Sequence, residues 1–398
     1  MTRKLKLMLP TMIAGVAALA VGAVELARPL VGTSQAQGQD ATWSFEQIGT
    51  GIKPALAVDA DGAAHISFLR EAFSANVYYS TNKSGDFVTQ TAAKGYFYGP
   101  VDIDVAPDGV AMITYHDHED SSFSLALGAG VVLTVDPAGL VSSTHIEHPG
   151  HDQWDADIAA EAGGVWHVAG IDPSQFGSSD GLEYATNASG SVVVESVGSG
   201  ALAYEFGVSI EKSTTGAVGI SYYQTGADDL IYAERAPGGG WTLTTVDADG
   251  RAGRYSDLAY DAAGRPHISY WVFDGEFSGR VRYAARDDAG DWIIADVGTL
   301  STVVGGRLGA RKITAIELDA MEVPHIMYGD RDEILYATRN GGKWVSTRVV
   351  TAGANQLGQL VEFDLDAQDR PHLVYFETTG GEPGAPSLAG LVFYGTVN

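Results

Sequence analysis

The sequence contains no cysteine in its 398 residues. This absence excludes a disulfide framework, a thiolate metal site, a cysteine nucleophile and a lipid anchor attached to cysteine. Packing and hydrogen bonds must therefore hold the fold together. Hydrophobic residues make up 45% of the chain, which is enough to build a large core.

Basic residues are also scarce. The chain has 24 Lys and Arg against 50 Asp and Glu, a formal net charge of −26. Such a chain repels nucleic acid and anionic membrane surfaces, so we expect neither as a partner. The acidic residues are spread along the sequence, which indicates a solvated surface, and we expect a monomer.

Long hydrophobic runs are missing except near the N-terminus. Arg3, Lys4 and Lys6 precede an apolar run at residues 12–24, and a small-x-small cleavage motif follows at residues 34–36. This order predicts a signal peptide over residues 1–36 and a secreted or periplasmic mature chain without a membrane span. The alternative is an uncleaved N-terminal anchor. Residues 37–398 are predicted to form one domain.

The sequence does contain an internal repeat. "LAYDAAGRPHISYW" at 258–271 has a close copy, "LAVDADGAAHISFL", at 56–69. Two more copies lie at 316–329 and 363–376, and three weaker ones at 103–116, 158–170 and 210–223. Aligning all seven units places the following residues at one anchor position: His65, Met112, His167, Gly219, His267, His325 and His372. The 50 glycines and 18 tyrosines are typical of many short strands joined by tight turns.

Each unit is predicted to form four strands, called A to D. Strand A always has an apolar residue at one position: Leu56, Ile103, Ile158, Ile210, Leu258, Ile316 and Phe363. Strand D opens on an aromatic residue in several units: Phe87, Trp241, Trp292 and Trp344. Seven four-stranded sheets repeated around an axis predict an all-β, seven-bladed β-propeller. A solenoid is the alternative, but it would need capping repeats.

The two ends of the sequence predict how the ring closes. The seventh unit stops after its strand C at 391–397, whereas "TWSFEQIG" at 42–49 resembles an isolated strand D. The N-terminal strand should therefore complete the last blade and leave no open sheet edge.

The turns before strand D resemble a known motif. "NKSGDF" at 82–87, "DDAGDW" at 287–292 and "RNGGKW" at 339–344 resemble the Asp-box, or BNR repeat, of sialidase-like propellers, although the leading Ser and the fixed Asp are mostly absent. The chain after residue 36 is also similar to secreted bacterial propellers with "HISY…LxYA" repeats. The resemblance implies a fold rather than an activity, and no sialidase catalytic residue can be transferred.

The stretch "HDHED" at 116–120 is predicted to lie in the B–C loop of blade 2. The next D–A connection, at 145–157, should lie on the same face of the propeller, which we call the top. His116, His118, His148 and His151 could then converge on a transition metal such as Zn²⁺, with nearby carboxylates completing the ligand set. A functional site without metal and a solvated polar loop are the alternatives.

The repeated histidine has a different interpretation. Because it recurs in five of seven units, we expect it to belong to the scaffold and to hydrogen-bond a neighbouring strand or the carboxylate of the A–B turn. "DADG" at 59–62 and 247–250 hints at a calcium loop, but no twelve-residue ligand set follows either copy. Turn formation is the preferred interpretation.

Residues just before each strand A should surround the central mouth on the top face. Aromatic rings stack on sugars and arginine pairs with carboxylate or phosphate, so this mouth could bind an anionic glycan. The alternative is a rim without a ligand. The candidate ligand-binding residues are Tyr98, Trp154, Asp155, Tyr204, Glu205, Arg254, Tyr255, Arg307 and Arg311.

Three functions remain open at this point. The first is a binding protein for a glycan or another extracellular ligand, and the second is an interaction scaffold of the cell envelope. The third is an enzyme, either a sialidase-like glycosidase or a metal-assisted hydrolase or lyase. A glycosidase needs two carboxylates beside the scissile bond, for which Asp120, Asp155 and Glu205 are candidates. No spacing assigns catalytic roles.

Overall fold

The computed structural model is built of β-strands throughout the part of the chain that it describes. The structure describes residues 34–35, 42–70, 76–97, 101–118, 128–146, 155–172, 181–199, 207–275, 278–300, 313–330, 333–351, 356–357, 361–378 and 390–397. Within these ranges no helix has the length and hydropathy that crossing a membrane would require.

The strands form seven antiparallel blades in the order A-B-C-D, which confirms the predicted seven-bladed β-propeller. Blade 1 consists of Ile52–Val58, Ala64–Leu69, Asn76–Thr81 and Val88–Lys94. Blade 2 consists of Asp102–Val105, Ala111–His118, Gly128–Val135 and Val141–Ile146, with Tyr96–Phe97 also paired to its strand B. Blade 3 consists of Asp155–Glu161, Val165–Asp172, Gly181–Thr186 and Val193–Ser199.

The remaining blades repeat this plan. Blade 4 consists of Val208–Lys212, Val218–Gln224, Asp229–Arg235 and Trp241–Asp247. Blade 5 consists of Arg251–Tyr260, Pro266–Gly275, Ser278–Arg286 and Trp292–Leu300. Blade 6 consists of Thr314–Leu318, Pro324–Asp330, Glu333–Asn340 and Lys343–Thr351. Blade 7 consists of Glu362–Leu365, Pro371–Thr378, Gly390–Val397 and Thr42–Thr50, with the short strands Gln356–Leu357 and Ser34–Gln35 beside it.

The N-terminal strand closes the ring as predicted. Thr42–Thr50 is strand D of blade 7 and pairs antiparallel with Gly390–Val397, with Trp43 opposite Val397 and Thr50 opposite Leu391. Trp43 is 2% exposed and packs edge-to-face against Tyr336 of blade 6, with ring centroids 6.4 Å apart. Closure therefore rests on a hydrogen-bonded strand and one buried aromatic anchor.

The predicted apolar position of strand A is buried in every blade. The exposed fraction of these seven side chains is at most 6%. Each blade packs against two neighbours, so its sheet is covered on both faces and this position cannot reach bulk solvent. The prediction that this position faces the packed interior is confirmed.

The repeated histidine belongs to the scaffold, as predicted. In blade 5, His267 Nδ1 lies 2.6 Å from the Tyr283 hydroxyl of strand C, and His267 Nε2 lies 3.6 Å from Asp261 in the A–B turn. The same arrangement recurs in four other blades, as His65 with Tyr79 and Asp59, His167 with Tyr184 and Glu161, His325 with Tyr336 and Asp319, and His372 with Tyr394 and Asp366. Since a carboxylate only accepts hydrogen bonds, Nε2 carries the proton and Nδ1 accepts from the tyrosine.

The charges in this network are fixed by burial and by hydrogen bonds. Burial lowers the pKa of His65 and His372 and keeps these rings neutral. Burial alone would raise the pKa of Asp59, but hydrogen bonds from Lys83, the Ala63 amide and His65 outweigh it and lower that pKa to about 2. A neutral imidazole thus bridges a carboxylate and a phenol at neutral pH.

The aromatic residue that opens strand D links neighbouring blades. It packs edge-to-face on the strand C tyrosine of the preceding blade, as Trp292 does on Tyr232 at 5.5 Å between centroids. The other pairs are Trp241 with Tyr184, Trp344 with Tyr283, and Phe87 with Tyr394. The repeated "YA" and Trp motifs in the sequence are therefore two halves of one contact between blades.

Candidate functional site

The A–B turns lie on the bottom face and are bonded to one another. The Asp369 carboxylate accepts from the Ala320 amide of blade 6 at 2.8 Å, and the Glu322 carboxylate accepts from the Ala262 amide of blade 5 at 3.2 Å. Asp369 and Glu322 adopt left-handed φ values of 58° and 62° at positions where other turns have glycine. These contacts give the bottom face a structural role.

Strand A of every blade lines an axial channel with a cavity of about 80 Å³. This volume is several times the roughly 10–15 Å³ that one water molecule needs. No Lys, Arg or His occurs among the described lining residues. Eight of them carry carboxyl groups: Asp102, Asp104, Asp157, Glu211, Asp257, Glu317, Glu362 and Asp364.

Several aspartates of the channel bond one blade to the next. The Asp157 carboxylate of blade 3 accepts from the Ile210 amide of blade 4 at 2.8 Å. Three others do the same, as Asp104 with Ala160, Asp257 with Ile316, and Asp364 with Val58 across the ring closure. Strand A is the inner edge of its sheet, so these carboxylates satisfy amides that no neighbouring strand could reach.

Sequence reasoning missed this acidic lining, although a signal was present. An Asp or Glu stands directly before or after the invariant apolar residue of strand A in six of the seven units, as in "DID" at 102–104 and "EFD" at 362–364. Only the closed ring shows that these positions meet at the axis.

Arg254 lies at the start of strand A of blade 5, on the top face. Its guanidinium lies 5.1 Å from the ring centroids of both Tyr223 and Phe273, so it is held between two aromatic rings. Arg251 lies 5.4 Å from the same Phe273 ring and is 52% exposed at its side chain. Arg254 and Tyr223 are within hydrogen-bonding contact. Two guanidinium groups therefore share one aromatic ring in an otherwise acidic protein.

Asp228 contacts both Tyr223 and Arg251. It accepts a hydrogen bond from the Tyr223 hydroxyl, and its carboxylate lies 3.6 Å from Arg251 Nε. Its backbone has a left-handed φ of 64°, and its carbonyl accepts from the Ala252 amide at 3.0 Å. With two arginines and one carboxylate, the group formed by Arg251, Arg254, Tyr223, Phe273 and Asp228, which we call the arginine cluster, has a formal net charge of +1.

The backbone beside the arginine cluster is strained. Tyr255 has a φ of 53°, and Lys53, three residues before the apolar position in blade 1 just as Tyr255 is in blade 5, has a φ of 52°. A left-handed residue other than glycine costs roughly 1–3 kcal/mol and persists only where its surroundings fix it. The Tyr255 ring stacks on Trp271 at 5.6 Å, and its carbonyl accepts from the Thr314 hydroxyl at 2.8 Å.

The structure brings two of the predicted mouth residues together and describes the backbone of a third. Arg254 and Tyr255 adjoin at the mouth, but Tyr255 is 5% exposed and supports the site rather than facing a ligand. Asp155 begins strand A of blade 3, opposite Ile171. The remaining candidates lie outside the described residues: Tyr98, Trp154, Tyr204, Glu205, Arg307 and Arg311.

The placement of HDHED in a loop is wrong for its first three residues. Strand B of blade 2 extends over Ala111–His118, with His116 opposite Gly130 and His118 opposite both Gly128 and Tyr96. His116 is only 3% exposed, so it is part of the blade and not of a solvated loop. The strand continues because Tyr96–Phe97 and strand C pair with it on both sides. Glu119 and Asp120 lie outside the described residues.

The metal site built from this stretch stays a prediction. His148 and His151 lie outside the described residues, and the described ones contain no group of three His, Asp or Glu arranged to hold a metal ion. The second "DADG" copy has another role, because Arg282 donates to Asp247 and to Asp249 at 2.8 Å each.

No family model and no curated protein matches the sequence, so the Asp-box resemblance stays a prediction. Solved structures do match. The polysaccharide lyase Uly1 shares 12% identity over 89% of this chain and 91% of its own, with a TM-score of 0.51. An ulvan lyase of family PL25 shares 11% identity over 87% and 94%, with a TM-score of 0.55. The same type of lyase bound to -[GlcA(1-4)Rha3S]- gives a TM-score of 0.54 at 11% identity, covering 87% and 93%. These likenesses show the fold.

Proposed function

We propose that this protein binds an anionic glycan on its top face, with the arginine cluster as the contact for a carboxylate or sulfate group. The observation that carries the proposal is the position of Arg254 between Tyr223 and Phe273, 5.1 Å from each ring. Stacking holds the guanidinium plane in place, so little side-chain entropy is lost when a planar anion binds.

The local charge supports an anionic ligand. A chain of net charge −26 repels polyanions in general, and the arginine cluster is a group of net positive charge that a polyanion can approach. Phe273, which is half-buried, adds an apolar surface on which a sugar ring can stack. A lyase bound to a GlcA-containing ligand has the same fold, and this likeness is compatible with the proposal. An extracellular glycan also requires export, which residues 1–36 predict.

Lyase-type catalysis at this position is the second candidate, because two lyases share the fold. It would need an accessible general base beside the arginine. Two titratable neighbours are described there. Tyr223 is 2% exposed, and Asp228 already accepts from the Tyr223 hydroxyl and lies 3.6 Å from Arg251 Nε. Burial, and after it the hydrogen bond to Asp228, raises the pKa of Tyr223 above its usual value, so this phenol is a poor base at neutral pH. We therefore rank binding ahead of catalysis.

Titration calorimetry tests the proposal with oligosaccharides of glucuronic acid, their sulfated forms, and neutral oligosaccharides of equal length. We expect saturable binding of the acidic ligands that weakens with added salt. Arg254→Gln should raise Kd by about 10-fold or more, or ~1.4 kcal/mol. Arg254→Lys should recover only part of the affinity, because lysine lacks the planar fork.

Arg286→Gln is the matched control. Arg286 lies between Tyr232 and Trp292 at the bottom of blade 5, at 5.0 and 5.2 Å from their centroids. Its replacement should lower thermal stability and leave Kd unchanged. Equal loss of affinity in both variants, or tighter binding of the neutral oligosaccharide, would contradict the proposal.

A further inference from the structure

The acidic residues of the axial channel fall into two structural groups. Four of the five aspartates bond to amides of the next blade, as Asp157 does to Ile210 and Asp364 does to Val58. Glu211 and Glu317 line the same cavity but make no such bond to a neighbouring blade among the described residues. Glu211 accepts only from the adjacent Lys212 amide, at 2.9 Å, and no described residue hydrogen-bonds the Glu317 carboxyl group. These two glutamates do not hold blades together through ionised oxygens.

The described surroundings of both glutamates in the cavity contain carboxyl groups from every blade except blade 1. Blade 1 contributes the uncharged Leu56 and Ala57 to the cavity. The other blades contribute carboxyl groups, namely Asp102 and Asp104 from blade 2, Asp157 from blade 3, Asp257 from blade 5, and Glu362 and Asp364 from blade 7. Lys212 is next to Glu211 in sequence, but its ammonium group pairs with Glu161. Tyr260, which also feels the charge of Glu211, is a neutral phenol.

Ionising such a cluster is costly. Buried carboxylates without a cation repel one another in a region of low dielectric, and the usual response is to keep some of them protonated. Burial, followed by repulsion from Asp104 and Asp157, raises the pKa of Glu211 well above its usual range. Burial, followed by repulsion from Asp364 and Glu211, does the same for Glu317. Burial likewise raises the pKa of Asp364, to about 7, despite hydrogen bonds from two amides that oppose the shift.

We propose that the axial channel is a proton-dependent latch: Glu211 and Glu317 hold protons while the propeller is closed, and their ionisation at higher pH loosens the ring of blades. A protonated glutamate carries no charge, so the proton removes a repulsion between neighbouring carboxyl groups. On ionisation the proton passes to water in the channel, and the charge left behind repels the aspartates that bond the blades together.

The direction of the pH effect follows from linkage. A carboxyl group with a raised pKa in the folded state binds more protons folded than unfolded at intermediate pH. Its contribution to stability is complete below the unfolded pKa, near 4, and is lost as the pH rises through the folded pKa. The neutral scaffold histidines act in the opposite direction, because their lowered pKa costs stability as the pH falls below about 6.5. Burial also raises the pKa of Glu46, which does not line the channel, so only the alkaline loss that the Glu211 and Glu317 substitutions remove reports on the channel.

The test compares thermal unfolding of the whole protein and of Glu211→Gln/Glu317→Gln, from about pH 5 to about pH 9, at constant ionic strength and with a chelator present. Glutamine has the shape of a protonated glutamate but cannot ionise. We expect the melting temperature of the wild type to fall toward pH 9, and that fall to be at least halved in the double variant. An equal fall in both proteins would overturn the latch.

Two further measurements complete the test. The wild type at neutral pH should show an infrared carbonyl band of protonated carboxyl groups that the double variant lacks, and absence of this difference would overturn the proposal. Adding Ca²⁺ or Mg²⁺ in place of the chelator should not abolish the alkaline loss. Full recovery by a divalent cation in the wild type alone would mean that a bound cation, and not protons, neutralises the channel. Asp157→Asn breaks the bond to the Ile210 amide and should lower the melting temperature at every pH. It should flatten the profile less than the double variant does, because it removes only one of the charges that raise the pKa of Glu211.

Discussion

Blade 5 holds two arginines that look alike locally, one at each end. Arg286, at the bottom, lies between Tyr232 and Trp292 and pairs with Glu234 at 2.9 Å. Arg254, at the top, lies between Tyr223 and Phe273, and the residue in its place in blade 1 is Ile52. The Arg286 contact recurs, because Arg235 lies over Tyr184 and Arg339 lies over Trp344. A contact repeated from blade to blade serves the scaffold, whereas an unrepeated one is a candidate for function.

The same distinction separates the two faces. At the bottom, a carboxylate, a histidine and a tyrosine are bonded together in five blades, and aromatic residues that open strand D connect neighbouring blades. At the top, the described contacts differ between blades, and backbone strain occurs at Tyr255, Lys53 and Asp228. We therefore expect bottom substitutions to change stability without changing ligand binding, and top substitutions to do the reverse.

The largest expected effect tests whether both faces depend on ring closure. Trp43→Ala removes the buried aromatic anchor of the closing strand and should cost about 3–5 kcal/mol of unfolding free energy. Denaturant unfolding measures this cost. Glu46→Gln, on the exposed side of the same strand, is the control and should stay within about 0.5 kcal/mol. If Trp43→Ala unfolds like the control, closure by this strand does not stabilise the ring.

An intermediate effect tests the bottom network. His267→Ala leaves the buried Tyr283 hydroxyl without its partner and should cost about 1–3 kcal/mol, with no change in glycan affinity. Adding Tyr283→Phe removes the orphaned hydroxyl, so the double variant should lose less than the sum of the single losses. Strictly additive losses, or an affinity change in His267→Ala, would break the distinction between the faces.

The smallest effect separates backbone strain from the bonds between A–B turns. Asp369→Ala loses the bond to the Ala320 amide and keeps the left-handed backbone, so we expect a cost of about 1–2 kcal/mol. Asp369→Gly loses the same bond but relieves the strain, so its net change should stay within about 0.5 kcal/mol. Equal unfolding free energies for the two variants would show that this turn stores no strain.

Much of the fold was predictable because the sequence contains seven copies of one repeat. The apolar residue of strand A and the scaffold histidine stand at fixed positions in the repeat, and both took the predicted structural role. The aromatic residue opens strand D where the sequence placed it, but its contact with the preceding blade was not predicted. Ring closure was also predictable, because the last unit lacks a strand D and the N-terminal segment resembles an isolated one.

The candidate site was harder to predict, and HDHED shows one reason. Its polar residues predict a loop, but antiparallel pairing with Tyr96–Phe97 on one side and with strand C on the other extends strand B to His118. Pairing partners distant in sequence decided where that strand ends. For the arginine cluster, the sequence offered Arg254 as a mouth residue but not its position between Tyr223 and Phe273, because those rings come from two different blades.

The sequence by itself determined the number of blades, the order of strands, the closure and the bottom scaffold, because each depends on periodicity and on residues within one or two repeats. Only the tertiary structure decided the character of the axis. Eight carboxyl groups lie between residues 102 and 364, and their spacing in the sequence is typical of surface acidic residues. In the folded protein they line one channel, because strand A of every blade faces the axis. Charge repulsion depends on distance in space, and distance in space is set by the closing of the ring.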